Sequence, residues 1–205
     1  PTLRLDLAGL AQAAGLARLT WRDHAGGDET VAQRAQPAQA MGPARVVPPP
    51  GAFLQATAHG EAALIAAVRE AVGDARRVTD LFAGCGTFAL PLSQVAEVDA
   101  VEGDAAMTLA LDRGWRTAPG LRRVRTQTRD LFRRPLLPDE MRNLDAAVID
   151  PPRAGAEAQV RALAASEVPV VAMVSCNPAT FARDARTLVQ AGFAIDWVQP
   201  VDQFR

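Results

Sequence analysis

The sequence predicts an α/β fold, a parallel sheet with helices on both faces, preceded by a small α+β segment. Three observations predict it. From Phe53 onward, short apolar runs alternate with stretches of helical spacing. One of those runs, VPVVAMVS, reads as buried along its whole length. A proline cluster, VVPPPG at 46–51, forces an extended connection and sets the first fifty residues apart from the rest.

The elements follow in chain order. LAGLAQAAGL, 7–16, reads as a short helix ended by a glycine. Strand-like pieces follow around LARLTW and ETVAQR, broken by HAGGD and by prolines. After the proline cluster, EAALIAAVREAVGD, 61–74, has helical spacing and a glycine stop. VTDLF, 78–82, is the first core strand, and GTFALPLSQ, 86–94, opens a helix. VDAVEG, 98–103, is a strand and AAMTLALDRGW a helix. LRRVRTQTRDLF holds a strand ending near Asp130, and DAAVIDPPR, 145–153, a strand ending at Asp150. EAQVRALAAS is a helix, VPVVAMVSC a strand, TFARDARTLVQAG a helix and FAIDWVQPVD a last strand. Parallel sheets of this kind bind ligands at the carboxyl ends of their strands. Asp150 and Cys176 both lie at such ends.

Composition removes several chemistries. The 205 residues carry a net charge of −1, which advertises no polyanionic partner. All 22 basic residues are arginine, so a Schiff-base lysine and a P-loop lysine are excluded. A multi-histidine metal site or a Ser-His-Asp triad would have to use His24 or His59, and neither lies in a promising context. Cys85 and Cys176 alone cannot ligate an iron–sulfur cluster or a structural zinc, so no metal is expected. No run approaches the ~18 apolar residues of a membrane span. Reduced thiols and the lack of a signal-peptide pattern suggest the cytoplasm. No obligate protein partner is implied. Pro1 as first residue suggests a partial or processed chain.

The loop DLFAGCGTF, 80–88, joins the first core strand to its helix. Gly84 and Gly86 permit a tight turn and a close backbone approach by a ligand. G-x-G alone is weak, and Ala89 stands where a third glycine would complete the dinucleotide fingerprint. Two acids further along the chain give it strength. Glu102 ends the next strand and suits ribose hydroxyls, while Asp130 ends the third and suits an adenine amino group. A glycine turn with acids after strands two and three describes an adenosine pocket. NAD and S-adenosylmethionine both carry adenosine. Asp80 would repel a pyrophosphate but suits a cationic amino acid end, so charge favours the methyl donor.

Asp150-Pro151-Pro152 makes a stiff, extended loop. Arg153 comes next, and a planar guanidinium suits a phosphate or a uracil carbonyl. Uracil C5 is a poor nucleophile until a thiolate adds to C6, and Cys176 could supply that thiolate. Cys85 reads as a small loop residue lining the pocket.

Here the chain resembles a known family, the S-adenosylmethionine-dependent RNA uracil-C5 methyltransferases that make 5-methyluridine in ribosomal or transfer RNA. The matching pieces are PPGAFLQAT, DLFAGCGTF, VEGD, DPPRAG and VSCNPATFARD, with a weaker tail, PVDQF, reaching Phe204. The glycine loop is unspecific; S-C-N-P-x-T-x-x-R-D is very specific. The resemblance implies a Rossmann-like class I methyltransferase fold with S-adenosyl-L-methionine as donor and S-adenosylhomocysteine as product. It implies that Cys176 is the nucleophile. It also implies that Gln55, Phe82, Thr87, Glu102, Asp130 and Asp150 contact or position the donor, with Asp150 also able to bind the uracil. For Gln55 the residue alone reads only as a buried loop amide. Arg153 and Asn177 are expected on the substrate side.

The sequence also departs from the family. Relatives place a proton-abstracting glutamate shortly after the D-Q-F-like stretch, and this sequence stops at Arg205. The expectation is therefore a methyltransferase domain over 51–205, truncated at its C-terminus, with residues 1–50 the remnant of a central or RNA-binding region. The last strand is expected to be missing, leaving an edge that another chain could fill. Such a chain would bind the donor better than it completes turnover. Arg122, Arg123, Arg125, Arg129, Arg133 and Arg134 form a basic cluster that is either a solvated face or a phosphate-binding surface for RNA. Two other readings stay open on the residues alone: a methyltransferase for a small molecule with Cys176 merely structural, and a non-catalytic module that binds donor or RNA.

Overall fold

The structure is a computed structural model that describes residues 2–22, 24 and 26–203. The tail residue Phe204 and the two terminal residues, Pro1 and Arg205, lie outside the described residues.

Helix α1 (Thr2–Ala13) leads into an antiparallel pair, β1 (Arg18–Arg22) and β2 (Asp28–Gln33). Arg22 closes the end of that pair with two bonds to Asp28, at 2.7 and 2.8 Å. A second hairpin, β3 (Gln39–Met41) and β4 (Ala44–Val46), is not foreseen from the sequence. Its Met41, Ala44 and Val46 are fully buried and join the core of the main sheet. Gly114 in the covering helix lets Val46 come close, since a Cβ there would sit 2.6 Å from Val46 Cγ2.

The main sheet holds β5 (Arg77–Leu81), β6 (Glu97–Glu102), β7 (Val124–Thr128), β8 (Ala146–Ile149) and β9 (Val171–Met173). All neighbours are parallel and the order is β7-β6-β5-β8-β9. Strand β8 shows why both faces are covered. Ala146 and Val148 pack into one apolar cluster, and Ala147 and Ile149 into the other. The chain steps from β5 to β6 on one side and returns to β8 on the other. The crevice at the carboxyl ends of β5 and β8 is thus the topological switch point.

The remaining helices are α2 (Ala58–Val72), α3 (Ala89–Leu92), α4 (Ala105–Thr117), α5 (Glu157–Ala164) and α6 (Pro178–Gln190). Thr57 caps α2 by accepting from the Gly60 N–H at 3.0 Å, and Gly73 ends it with φ +53°. Asp104 caps α4 and Asn177 caps α6 in the same manner.

Three expectations need correction. The helix expected at 86–94 is the single turn α3, because Gly84 and Gly86 adopt φ +56° and +101° and the turn consumes the first residues. The strand expected at 168–176 is regular only over Val171–Met173, the stretch with partners on β8. FAIDWVQPVD is not a strand among the described residues. It runs from Phe193 without a regular strand, and Pro200 within it has no N–H to give. Its far end is anchored by Gln203, whose Nε2 donates to Gln55 Oε1 at 3.0 Å.

Candidate active site

A cleft of about 1910 Å³ opens over the carboxyl ends of β5, β6, β8 and β9 and continues along residues 193–203. Gln55, Phe82, Gly84, Thr87, Glu102, Asp130, Asp150, Arg153 and Cys176 all line it. These residues are scattered over more than a hundred positions, and the parallel sheet gathers them by ending every strand at one rim.

The glycine turn forms its floor. Phe82 has φ +64°, a conformation costly for a non-glycine residue, and it swings its ring to the rim. The Gly84 N–H donates to Glu102 Oε2 at 2.9 Å, and Glu102 Oε1 accepts from the Asp104 N–H at 2.8 Å. A carboxylate has about four acceptor positions, so Glu102 keeps two for a diol. A Cβ at Gly84 would meet nothing within 4 Å, so the space over this turn is open to a ligand. Gly86 is different. It is buried and outside the cleft lining, and a Cβ there would sit 2.8 Å from Leu90 Cδ1. Its part is to let α3 and α4 close on the turn, not to meet a ligand.

Asp80 lies beneath the floor, fully buried, and neither carboxylate oxygen has a hydrogen-bond partner. Burial pushes its carboxyl up to about 8, with nearby Asp150 and then Glu102 adding to the rise. The Ala89 N–H pulls the other way but falls short of a hydrogen bond. Burial also raises Asp150, to about 6. With Asp80 holding its proton up to about pH 8, the charge beneath the cleft comes from Glu102 and Asp150, which repel a pyrophosphate and favour a cation. A positively charged amino acid end with a sulfonium beside it fits this floor, and the two free positions of Glu102 fit a ribose.

Asp130 stands two residues past β7. One of its oxygens is spent as a turn cap, accepting from the Phe132 N–H at 2.9 Å and the Arg133 N–H at 3.3 Å. The other lies 3.6 Å from Arg133 Nε. Phe132 is a residue that sequence reasoning missed. Its ring is 5.4 Å from that of Phe82 at an interplanar angle of 56°, and the two make an aromatic wall at the cleft rim. The signal was present: Asp-Leu-Phe occurs twice, at 80–82 and 130–132, each time at a strand end. Phe53, 71% exposed inside the same cleft, was missed as well.

Cys176 lines the same cleft as an exposed free thiol in the loop between β9 and α6. Cys85 is buried, and burial pushes its thiol up to about 11. The two cysteines are thus separated in availability. Arg153 is exposed and is the one basic side chain lining the cleft among the described residues. Asn177 does not line it. Its Oδ1 accepts from the Ala179 N–H at 3.1 Å and its Nδ2 donates to the Arg153 carbonyl at 3.0 Å, so both ends of the amide are occupied.

The basic cluster is partly neutralised. Arg129 makes two bonds to Glu140, at 2.6 and 2.9 Å, while Arg125 and Arg133 pair with Asp99 and Asp130. No group of three metal-ligating side chains occurs among the described residues. Within those residues no helix is long and apolar enough to cross a membrane.

No family model matches the sequence. An uncharacterized RNA methyltransferase of Mesorhizobium japonicum is 51% identical over 192 residues, covering 94% of this chain and 45% of that protein. By sequence, this chain is a homologue of the RNA methyltransferases. The 23S rRNA (uracil-C5)-methyltransferase RlmD of Chromohalobacter salexigens is 44% identical over 158 residues, 76% of this chain and 32% of that protein. The fold is that of a Rossmann-like methyltransferase. The crystal structure of a Pyrococcus abyssi tRNA (uracil-54, C5)-methyltransferase with S-adenosyl-L-homocysteine superposes with a TM-score of 0.73 at 22% identity, covering 92% of this chain and 47% of that one. The chain spans about half the length of the curated relatives it matches.

Proposed function

We propose that this chain is the donor-binding and nucleophile-bearing part of an S-adenosylmethionine-dependent RNA uracil-C5 methyltransferase. Ribosomal RNA is the favoured substrate, since the 44%-identical relative is named for 23S rRNA. One observation carries the reading. An exposed thiol, Cys176, and a carboxyl of raised affinity for protons, Asp150, share a cleft with an open glycine turn over an acidic floor.

The work divides among these residues by chemistry. Glu102 and the Gly84 turn hold the ribose, and the wall made by Phe82 and Phe132 packs on one side of the adenine. Glu102 and Asp150 supply the negative field for the cationic end, with Asp80 protonated beneath them at pH 7. S-adenosylmethionine, when bound, supplies an electrophilic methyl group. Cys176 adds as thiolate to C6 of a flipped uridine, moving the electron pair of the C5–C6 bond onto C5 and the O4 carbonyl. Asp150, protonated through much of the acid range, is placed to hydrogen-bond the uracil edge. Arg153 faces the oxygen-rich side of the nucleotide. C5 takes the methyl group and S-adenosylhomocysteine leaves; a base then removes the C5 proton, and the returning electron pair expels the thiolate.

The test uses RNA containing 5-fluorouridine with the methyl donor. Fluorine at C5 cannot leave as a proton would, so the covalent complex accumulates. Denaturing gels are expected to show a protein–RNA band with wild type and none with Cys176→Ser. Tight donor binding without that band would favour the small-molecule or non-catalytic readings instead.

A further inference from the structure

The motif Ser-Cys-Asn-Pro-Ala-Thr-Phe-Ala-Arg-Asp, 175–184, holds more polar residues than one nucleophile needs. The structure shows where the others go. The Arg153 carbonyl accepts from Asn177 Nδ2 at 3.0 Å and shares the Thr180 hydroxyl, at 3.3 Å, with the Asn177 carbonyl at 3.2 Å. One turn further along α6, Arg183 Nη2 donates to the Ala154 carbonyl at 3.2 Å. Asp184 is 2% exposed. It accepts from the Ala156 N–H at 2.8 Å and from Arg183 Nε at 2.8 Å. Three backbone groups of the loop after Pro152 are therefore tied to three side chains of one helix and to its N-cap. Gly155 shows how closely they fit. It has φ +80°, and a Cβ there would lie 2.3 Å from Arg183 Nη2 and 2.6 Å from Asp184 Oδ2.

Asp150 does not depend on this tie. Its N–H donates to the Leu81 carbonyl at 3.2 Å, so the sheet itself anchors it. What the tie controls is Arg153, the residue at the loop's turn and the one basic side chain over the cleft among the described residues.

We infer that Asp184 and Arg183 are positioning residues: they lock the 153–156 loop onto α6 and so hold Arg153 at a fixed place relative to Cys176, two residues before that helix. The inference deepens the proposed function and rests on it. Geometry of this kind matters because a guanidinium displaced by about 1 Å loses much of its worth in orienting a substrate.

The experiment measures, on the full chain, the rate of adduct formation with 5-fluorouridine RNA and the affinity for S-adenosylhomocysteine by calorimetry. Asp184→Ala is expected to slow the adduct about tenfold and leave the affinity within twofold. Arg153→Ala is expected to slow it similarly. The double variant should be little slower than either single one, because residues acting through one another are not additive. Asp184→Asn keeps an acceptor for the Ala156 N–H and should recover most of the rate. Thr180→Val, a milder cut of the same tie, serves if Asp184→Ala does not fold, and about a threefold loss is expected. An adduct rate in these variants equal to wild type, additive losses in the double variant, or donor affinity falling in step with the rate would overturn the inference. Failure of wild type itself to form the adduct would overturn the reading beneath it.

Discussion

Asp80→Asn isolates the most costly feature of the site. The carboxyl is fully buried without a hydrogen-bond partner and is pushed up to about 8. In an unfolded chain an aspartate ionises near ~3.9. A carboxyl whose folded value is raised contributes stability that is whole below about pH 4 and is lost as pH climbs through about 8. Folding at pH 7 must bring a proton to a group that is ionised when unfolded. That costs about 4 kcal/mol at pH 7 and about 2 kcal/mol at pH 5. Asparagine has the same shape and no charge to neutralise, so the variant escapes this cost. Urea unfolding of both proteins from pH 5 to pH 8 reads the difference. The variant should gain on wild type by about 4 kcal/mol across that range. Asp150, raised to about 6, leaves both with a shared decline of about 1 kcal/mol. Parallel curves for the two proteins would refute this reasoning, for they would mean that Asp80 is ionised in the folded chain.

Other consequences are simpler to check. Iodoacetamide should alkylate Cys176 and spare Cys85, because one thiol is exposed and the other is buried with its affinity for protons raised; peptide mapping after brief labelling reads the ratio. Gly86→Ala should cost at least about 2 kcal/mol in chemical unfolding, since it forces a side chain into φ +101° and against Leu90. Arg129→Ala should cost about 1–3 kcal/mol, because Arg129 is largely buried and also donates to the Arg134 and Pro135 carbonyls, both at 2.6 Å. Its loss should also bring the Glu140 carboxyl, now held below its ordinary range by Arg129, back up, which a pH titration followed by carbon-detected NMR would register.

The parts of the fold that the sequence shows plainly are those fixed by local chemistry. VTDLF and DAAVID are apolar because they are buried on both faces, and glycines or prolines come after each. The acids at strand ends were legible for the same reason, since a charge at the end of such a run must lie at the rim. The β3–β4 hairpin was not legible: three-residue strands show no period, and their burial depends on α4, far along the chain. The last segment misled because FAIDWVQPVD has strand composition, but a strand also requires a neighbour. Asn177 looked like a substrate contact because it adjoins the thiol. Its Oδ1 caps α6 and its Nδ2 bonds to a loop more than twenty residues earlier, which spacing along the sequence could not reveal. The aromatic wall was missed because Phe82 and Phe132 meet only when β5 and β7 are brought to one rim.

The proposed function depends on one arrangement, in which the exposed sulfur of α6's leading loop holds the uridine while the acidic floor under the glycine turn holds the methyl donor. Tandem mass spectrometry of peptides from the trapped 5-fluorouridine complex tests it most directly. The account predicts a nucleotide joined to the peptide bearing Cys176, with one extra methyl group on its pyrimidine ring. A nucleotide on Cys85, or one on Cys176 that never gains the methyl group in the presence of donor, would contradict it.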